Sequence, residues 1–168
     1  GLPEQMGKMA VAVSRSSPQT VYALIESDSV KDERGLYVST NAGKSWTQVT
    51  SEPQLVQRAW YYTELFIDPK DERTLYVLSA PALRSKDAGK TWETLSGTHG
   101  DFHDLWINPD NPRNFIISND GGCAITFDGG SSWSTEDNQP TAQFYRLNVD
   151  NRFPYRIYSA QQDNTSIA

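Results

Sequence analysis

One eight-residue pattern occurs three times along the chain, and it constrains the fold more than any other feature. Ser39-Thr40-Asn41-Ala42-Gly43-Lys44-Ser45-Trp46, Ser85-Lys86-Asp87-Ala88-Gly89-Lys90-Thr91-Trp92 and Thr126-Phe127-Asp128-Gly129-Gly130-Ser131-Ser132-Trp133 all fit S/T-x-D/N-x-G-x-S/T-W. The tryptophans recur after 46 and then 41 residues. Self-similarity at such a period marks a repeat architecture, in which each unit is one small sheet that cannot bury its apolar face alone.

A second pattern runs in phase with the first. Leu65-Phe66-Ile67-Asp68-Pro69 leads through a polar turn to Thr74-Leu75-Tyr76-Val77-Leu78, and Leu105-Trp106-Ile107-Asn108-Pro109 leads to Asn114-Phe115-Ile116-Ile117-Ser118. The first unit repeats the outline from Ala10 to Ile25, and a fourth from Phe144 to Ser159. Each reads as strand, Pro- or Asp-containing turn, strand. Residues entering and leaving each eight-residue turn supply two more strands, ending the third unit with Trp133-Ser134. No segment has the period of an amphipathic helix, and Gln54 to Tyr61 reads as a loop. The expected fold is all-β: a partial β-propeller of four-stranded blades, with three full blades and half of a fourth. The units span residues 9–50, 62–96, 103–135 and, in half, 144–168.

The repeated turn has a structural chemistry of its own. Asn41, Asp87 and Asp128 can accept hydrogen bonds from backbone N–H groups of their own turns. Gly43, Gly89 and Gly130 supply a positive φ. Trp46, Trp92 and Trp133 cover the turns and pack between sheets. A catalytic or calcium-binding role for these acids is the alternative. Three copies in fixed phase serve the repeat rather than one site, and Asn41 stands where a catalytic acid would be needed.

These turns resemble those of the Asp-box, or bacterial neuraminidase-repeat, propellers. The likeness is nearest to bacterial sortilin-like and glycosyl hydrolase repeat proteins and extends to xyloglucan-degrading glycoside hydrolases and sialidases. It is carried further by His99 to Trp106, Asn138 to Tyr145, and Asp150 to Asn164. The resemblance implies an extracellular, periplasmic or cell-surface propeller, often part of a longer chain. Sortilin-type members bind peptides and proteins. A sialidase requires an arginine cluster, and Arg58, Arg84, Arg113, Arg146 and Arg152 follow no matching pattern.

Composition excludes several classes. A net charge of −6 lacks the basic stripe of a nucleic-acid surface. No apolar run is long enough for a membrane-spanning helix, and Gly1 to Lys8 does not read as a signal peptide. The single cysteine, Cys123, forms no internal disulfide and reads as a small core residue, with a thiol nucleophile as the alternative. No phosphate-cradling loop, cysteine metal knuckle or serine elbow is present, and no cofactor is called for. Asn164-Thr165-Ser166 forms a glycosylation sequon of the kind that arises by chance, and Lys31 to Arg34 reads as a solvated loop.

A site is expected where the first strand of each unit begins and the second ends, since those points share one edge of an antiparallel sheet. Trp60, Tyr61 and Tyr62 fall there in unit two, and His99, Asp101, His103, Asp104, Asn119 and Asp120 in unit three. Gln143, Tyr145, Gln161, Gln162, Asp163 and Asn164 do so in unit four. Four readings fit. Aromatic, amide and acidic groups can form a recognition surface for a polar ligand. Asp104, Asp120 and Asp163 can supply a glycosidase pair, which needs two carboxylates about 5–10 Å apart. Asp120 precedes Gly121-Gly122, which resembles an acid before a glycine pair in the xyloglucanase group. His99, Asp101 and His103 alternate and can share one strand face as metal ligands. Finally, the same groups can simply tie loops together.

The leading expectation is a scaffold of sortilin-like type that recognises a polysaccharide, protein or peptide at the channel mouth. A glycoside hydrolase is the second reading, and a structural or assembly propeller without ligand the third. An unfinished ring leaves apolar faces at both ends, so further blades of a larger chain, or a second copy, are expected to complete it.

Overall fold

The computed structural model describes residues 1–27, 31–137 and 142–167. Residues 138–141, part of one stretch that carries the resemblance, and the end of the fourth unit at Ala168 lie outside that description.

Among the described residues, fourteen strands form four antiparallel sheets, each in chain order. Sheet 1 contains β1 (Met9–Val13), β2 (Val21–Ile25), β3 (Gly35–Ser39) and β4 (Thr47–Thr50). Sheet 2 contains β5 (Glu64–Ile67), β6 (Leu75–Leu78), β7 (Ala82–Ser85) and β8 (Glu93–Leu95). Sheet 3 has β9 (Phe102–Ile107), β10 (Phe115–Asn119) and β11 (Gly122–Thr126). Sheet 4 has β12 (Phe144–Val149), β13 (Ile157–Gln161) and β14 (Ser166–Ile167).

The two sequence patterns turn out to be two ends of one device. Asp68 Oδ1 accepts from Lys70 N at 2.8 Å and Asp71 N at 3.2 Å, closing the first turn of unit two. Asn108 accepts from Asp110 N at 2.9 Å in unit three, and Asp150 from Arg152 N at 3.2 Å in unit four. In the repeated turns, Asp87 Oδ1 accepts from Lys90 N at 3.0 Å and Thr91 N at 2.9 Å, and Asp128 Oδ1 from Ser131 N at 3.0 Å and Ser132 N at 2.9 Å. Asn41 accepts from Ser45 N at 2.9 Å in the same way. The two turns of units one, two and three are tied together by Ala42 N to Gln19 O, Ala88 N to Arg73 O and Gly129 N to Arg113 O, each 2.8 Å.

The repeated turn needs two consecutive residues in the left-handed region, not one. Ala42 and Gly43 have φ of 57° and 84°, and Ala88 and Gly89 of 65° and 88°. The second position is also tight: a Cβ on Gly89 would lie 2.2 Å from Leu36 Cδ2 of the preceding sheet. Trp46 and Trp92 donate to Gly43 O and Gly89 O at 3.0 Å, as a cover over the turn requires. Trp133 departs from this and donates at 3.0 Å to Ser96 O in the preceding unit.

Apolar faces close the successive interfaces. Tyr22, Leu24 and Leu36 of unit one, with Leu55 from the segment that follows it, meet Leu65, Leu75, Val77 and Leu83 between sheets 1 and 2. Tyr76, Leu78, Ala82 and Leu95 meet Phe102, Leu105, Phe115, Ile117 and Ala124 between sheets 2 and 3. Two expectations are corrected. Trp133-Ser134 is not a strand: Ser134 N donates to Ile125 O, but the answering bond from Ile125 N goes to the Ser134 hydroxyl, so no ladder propagates. Residues 53–56 form a single 3-10 turn rather than an irregular loop, with Leu55 buried in the first interface.

Candidate functional site

The turn between β10 and β11 is the centre of a cleft of 570 Å³. Its floor is built by Asn119, which is buried. Asn119 Oδ1 accepts from Gly121 N at 2.8 Å and Gly122 N at 3.1 Å, and its Nδ2 donates to Glu136 Oε1 at 2.6 Å. Glu136 also accepts from His99 N at 3.1 Å, locking the turn to the loop before β9. Gly121 is required for this approach, because a Cβ there would lie 2.5 Å from His99 Cβ. Asp120 is thereby presented to the cleft, where His103 Nε2 lies 2.7 Å from its Oδ1.

The wall beside this pair comes from the loop before β5. Tyr62 stacks at a tilt over His103 with ring centroids 5.0 Å apart. Its hydroxyl donates to Asp101 Oδ1 at 3.4 Å, and Arg58 Nη1 lies 2.5 Å from the same oxygen. Burial, followed by the neighbouring Asp101 carboxylate, pushes the Tyr62 phenol up to about 12, so it remains a neutral donor. Tyr61 and Trp60 continue outward as an exposed aromatic shelf, their rings 5.8 Å apart. The opposite wall is Gln143, Gln161, Gln162 and Asp163 at the ends of sheet 4. Asp163 holds a left-handed φ of 52° and, among the described residues, its carboxylate has no hydrogen-bond partner.

The cleft therefore brings together Tyr61, Tyr62, Asp101, His103, Asn119, Asp120, Gln162 and Asp163. Five candidates stand elsewhere or act indirectly. Asp104 leaves the cleft because of a β-bulge: the register shifts between Ser118 and Asn119, so Phe102 and Leu105 share the buried face despite their spacing. Asp104 instead faces Glu64 on β5, whose carboxyl is pushed up by burial first and by Asp104 second. His99 turns its ring to Gly100 O, 3.1 Å from Nδ1. Trp60 lies outside on the shelf, and Tyr145 lies on the far face of sheet 4. Asn164 donates to Gly121 O at 3.3 Å across the rim. The metal reading of His99, Asp101 and His103 fails on geometry. Asp101 has φ of 57°, which breaks the strand alternation, and the three side chains have three different partners. Among the described residues no cluster of three metal-ligating side chains occurs.

Arg58 and Glu136 are the cleft residues that sequence reasoning missed. Arg58 pairs with a residue 43 positions away and Glu136 with one 17 away, and neither sits in a repeated position. Cys123 also lines the cleft and is only partly buried, rather than a core residue.

Comparison with known proteins agrees with the architecture. No family model matches the chain. A GH74 enzyme from Niastella koreensis superposes with TM-score 0.58 and 16 % identity, over 95 % of this chain and 26 % of that one. The GH74 xyloglucanase from Xanthomonas campestris gives TM-score 0.56 and 18 % identity, over 94 % of this chain and 23 % of that one. The sheets are β-propeller blades. YCF48 from Cyanidioschyzon merolae shares the fold too, with TM-score 0.56 and 15 % identity over 96 % of this chain and 52 % of that one. In sequence, the chain is 33 % identical over 66 residues to a probable oligoxyloglucan-reducing end-specific xyloglucanase of Neosartorya fischeri. That match covers 38 % of this chain and 8 % of the relative.

Proposed function

We propose that the intact protein is a polysaccharide-acting Asp-box propeller of the xyloglucanase kind, working outside the cytoplasm, and that this chain supplies one part of its glycan-binding cleft. The observation that carries the reading is the Asp120–His103 pair, 2.7 Å apart in a 570 Å³ cleft beside exposed Trp60 and Tyr61. Aromatic faces suit the apolar faces of sugar rings, and the amides of Gln143, Gln161 and Gln162 suit their hydroxyls. Likeness to a xyloglucanase over 66 residues supports the choice of ligand class.

Glycoside hydrolysis requires one carboxyl group to protonate the leaving oxygen and a second to act as base or nucleophile. Of the cleft carboxylates, Asp101 is held by Arg58 and Glu136 by Asn119. Asp120 remains on the central turn, and Asp163 on the wall built by sheet 4. In this reading His103 orients Asp120, and Asp163 is the second acid. The test is incubation of the full-length protein with xyloglucan and a panel of other β-glucans, read as reducing-end release. Release from xyloglucan is expected; neither release nor binding across the panel overturns the proposal.

A second reading is peptide recognition of the sortilin-like type. It is favoured by four carboxylates, Asp101, Asp120, Glu136 and Asp163, facing one arginine, Arg58, which suits a basic segment. Binding of a lysine-rich peptide in the absence of any polysaccharide binding selects this alternative.

A further inference from the structure

Asp101 joins three separate segments beside the cleft. Its backbone N–H donates to Ala80 O at 3.1 Å in the β6–β7 connection, and its carbonyl accepts from Asp120 N at 3.2 Å in the β10–β11 turn. Its carboxylate reaches the third segment, the loop before β5. There Arg58 O accepts from Tyr62 N at 3.0 Å, closing a turn whose first and last side chains both end on Asp101 Oδ1. The Asp101 backbone has φ of 57°, in the region that favours glycine. Glycine would make both backbone bonds there with less strain. What an aspartate adds is its carboxylate, and that carboxylate goes to the aromatic wall.

The wall ends on His103. Tyr62 is buried, and its ring centroid lies 5.0 Å from that of His103. His103 Nε2 is in turn 2.7 Å from Asp120 Oδ1. His103 is thus held between a ring hung from the Asp101 side chain and a carboxylate hung from the Asp101 backbone. A carboxylate only accepts, so Nε2 carries the hydrogen in this pair, and the imidazole needs a fixed ring plane to aim it. We propose that Asp101 is a positioning residue: it fixes Tyr62 against His103 and so aims His103 Nε2 at Asp120. Arg58, ion-paired with the same oxygen, keeps the Asp101 carboxylate in place. The consequence for turnover rests on the proposed role of Asp120 in hydrolysis; the arrangement itself does not.

The test is Asp101→Gly in the full-length protein, which suits the left-handed backbone and removes only the carboxylate. The first readout is the ring-proton resonance of His103, from isotope-labelled histidine, assigned by its loss in His103→Gln and read at one alkaline pH. Tyr62→Leu gives the position of that resonance without the neighbouring ring. Asp101→Gly moves it toward the Tyr62→Leu position, whereas Asp101→Asn, which keeps an acceptor in place, leaves it near the unmodified one. The second readout is hydrolysis of xyloglucan. Asp101→Gly lowers kcat about tenfold or more with KM nearly unchanged, and it adds no further loss in a His103→Ala background, as expected when one residue acts through the other. An unmoved His103 resonance in Asp101→Gly overturns the proposal, whether or not the protein hydrolyses a glycan. So does a moved resonance with unchanged kcat, or losses that simply add. A moved resonance in a protein that hydrolyses nothing overturns the hydrolase reading and supports the hold of Asp101 on His103.

Discussion

Replacing Phe115 by alanine tests whether sheets 2 and 3 are packed as consecutive blades. Phe115 is 1 % exposed, and its ring meets Tyr76 edge-on at 5.7 Å and Trp133 at 5.4 Å. Truncating a buried phenylalanine costs about 3–5 kcal/mol, from lost transfer energy and the cavity left behind. Phe115→Leu keeps most of the volume and loses mainly the two aromatic contacts, worth about 0.5–1.5 kcal/mol each. With about 2–4 °C of melting temperature per kcal/mol for a chain of this size, Phe115→Ala melts about 6–20 °C lower. Phe115→Leu falls between it and the unmodified protein. Urea unfolding gives the free energies and calorimetry the temperatures. Trp60→Ala is the control: that side chain is 75 % exposed, and its loss shifts stability by less than about 0.5 kcal/mol. If Phe115→Ala costs no more than Trp60→Ala, the packing of sheet 3 on sheet 2 is refuted.

Asp87→Ala and Asp128→Ala each lower the melting temperature while leaving polysaccharide binding unchanged well below it; lost binding with unchanged melting contradicts a structural role. Asp87 and Asp128 are held at about 2, against an ordinary 3.8, chiefly by hydrogen bonds from Thr91 and from Ser132. A depressed pKa gives stability present above the unfolded value and lost as pH falls through the folded one, so melting temperature drops between about pH 4 and 2. The double variant Asp87→Asn, Asp128→Asn flattens that drop. Asn119→Ala removes the acceptor of Gly121 N and Gly122 N and releases Glu136; it lowers kcat about tenfold or more with KM nearly unchanged, as a residue that positions Asp120 would. Neutral glycans bind more tightly than uronate-bearing ones of equal length, because Asp101, Asp120, Glu136 and Asp163 outnumber Arg58, and added salt narrows the gap. Equal affinity at low salt contradicts that charge balance.

The blades were legible because their signals are local and repeated. Asp68, Asn108 and Asp150 each bond within their own turns, as do Asn41, Asp87 and Asp128, so residue type and spacing within a few positions suffice. The cleft was legible in part, because strand ends on one edge follow from antiparallel pairing. It failed where a local irregularity changed the phase. The bulge opposite Asn119 turns Asp104 away, and the left-handed Asp101 separates three residues that strict alternation would have aligned. It also failed where partners are distant, as with Arg58 and Asp101. Nothing in Trp133-Ser134 announces that a side-chain hydroxyl would replace a backbone acceptor and end the sheet there.

Asp120→Asn tests most directly the proposal that the cleft around Asp120 works on polysaccharide. The substitution preserves the shape of the side chain and removes its capacity to exchange a proton. Steady-state hydrolysis of xyloglucan and calorimetric binding of a xyloglucan oligosaccharide are measured on the same folded preparation. In the Asp120→Asn protein kcat falls about 10²–10⁴-fold while oligosaccharide affinity stays within about threefold. Hydrolysis by the folded Asp120→Asn protein at the unmodified rate contradicts it.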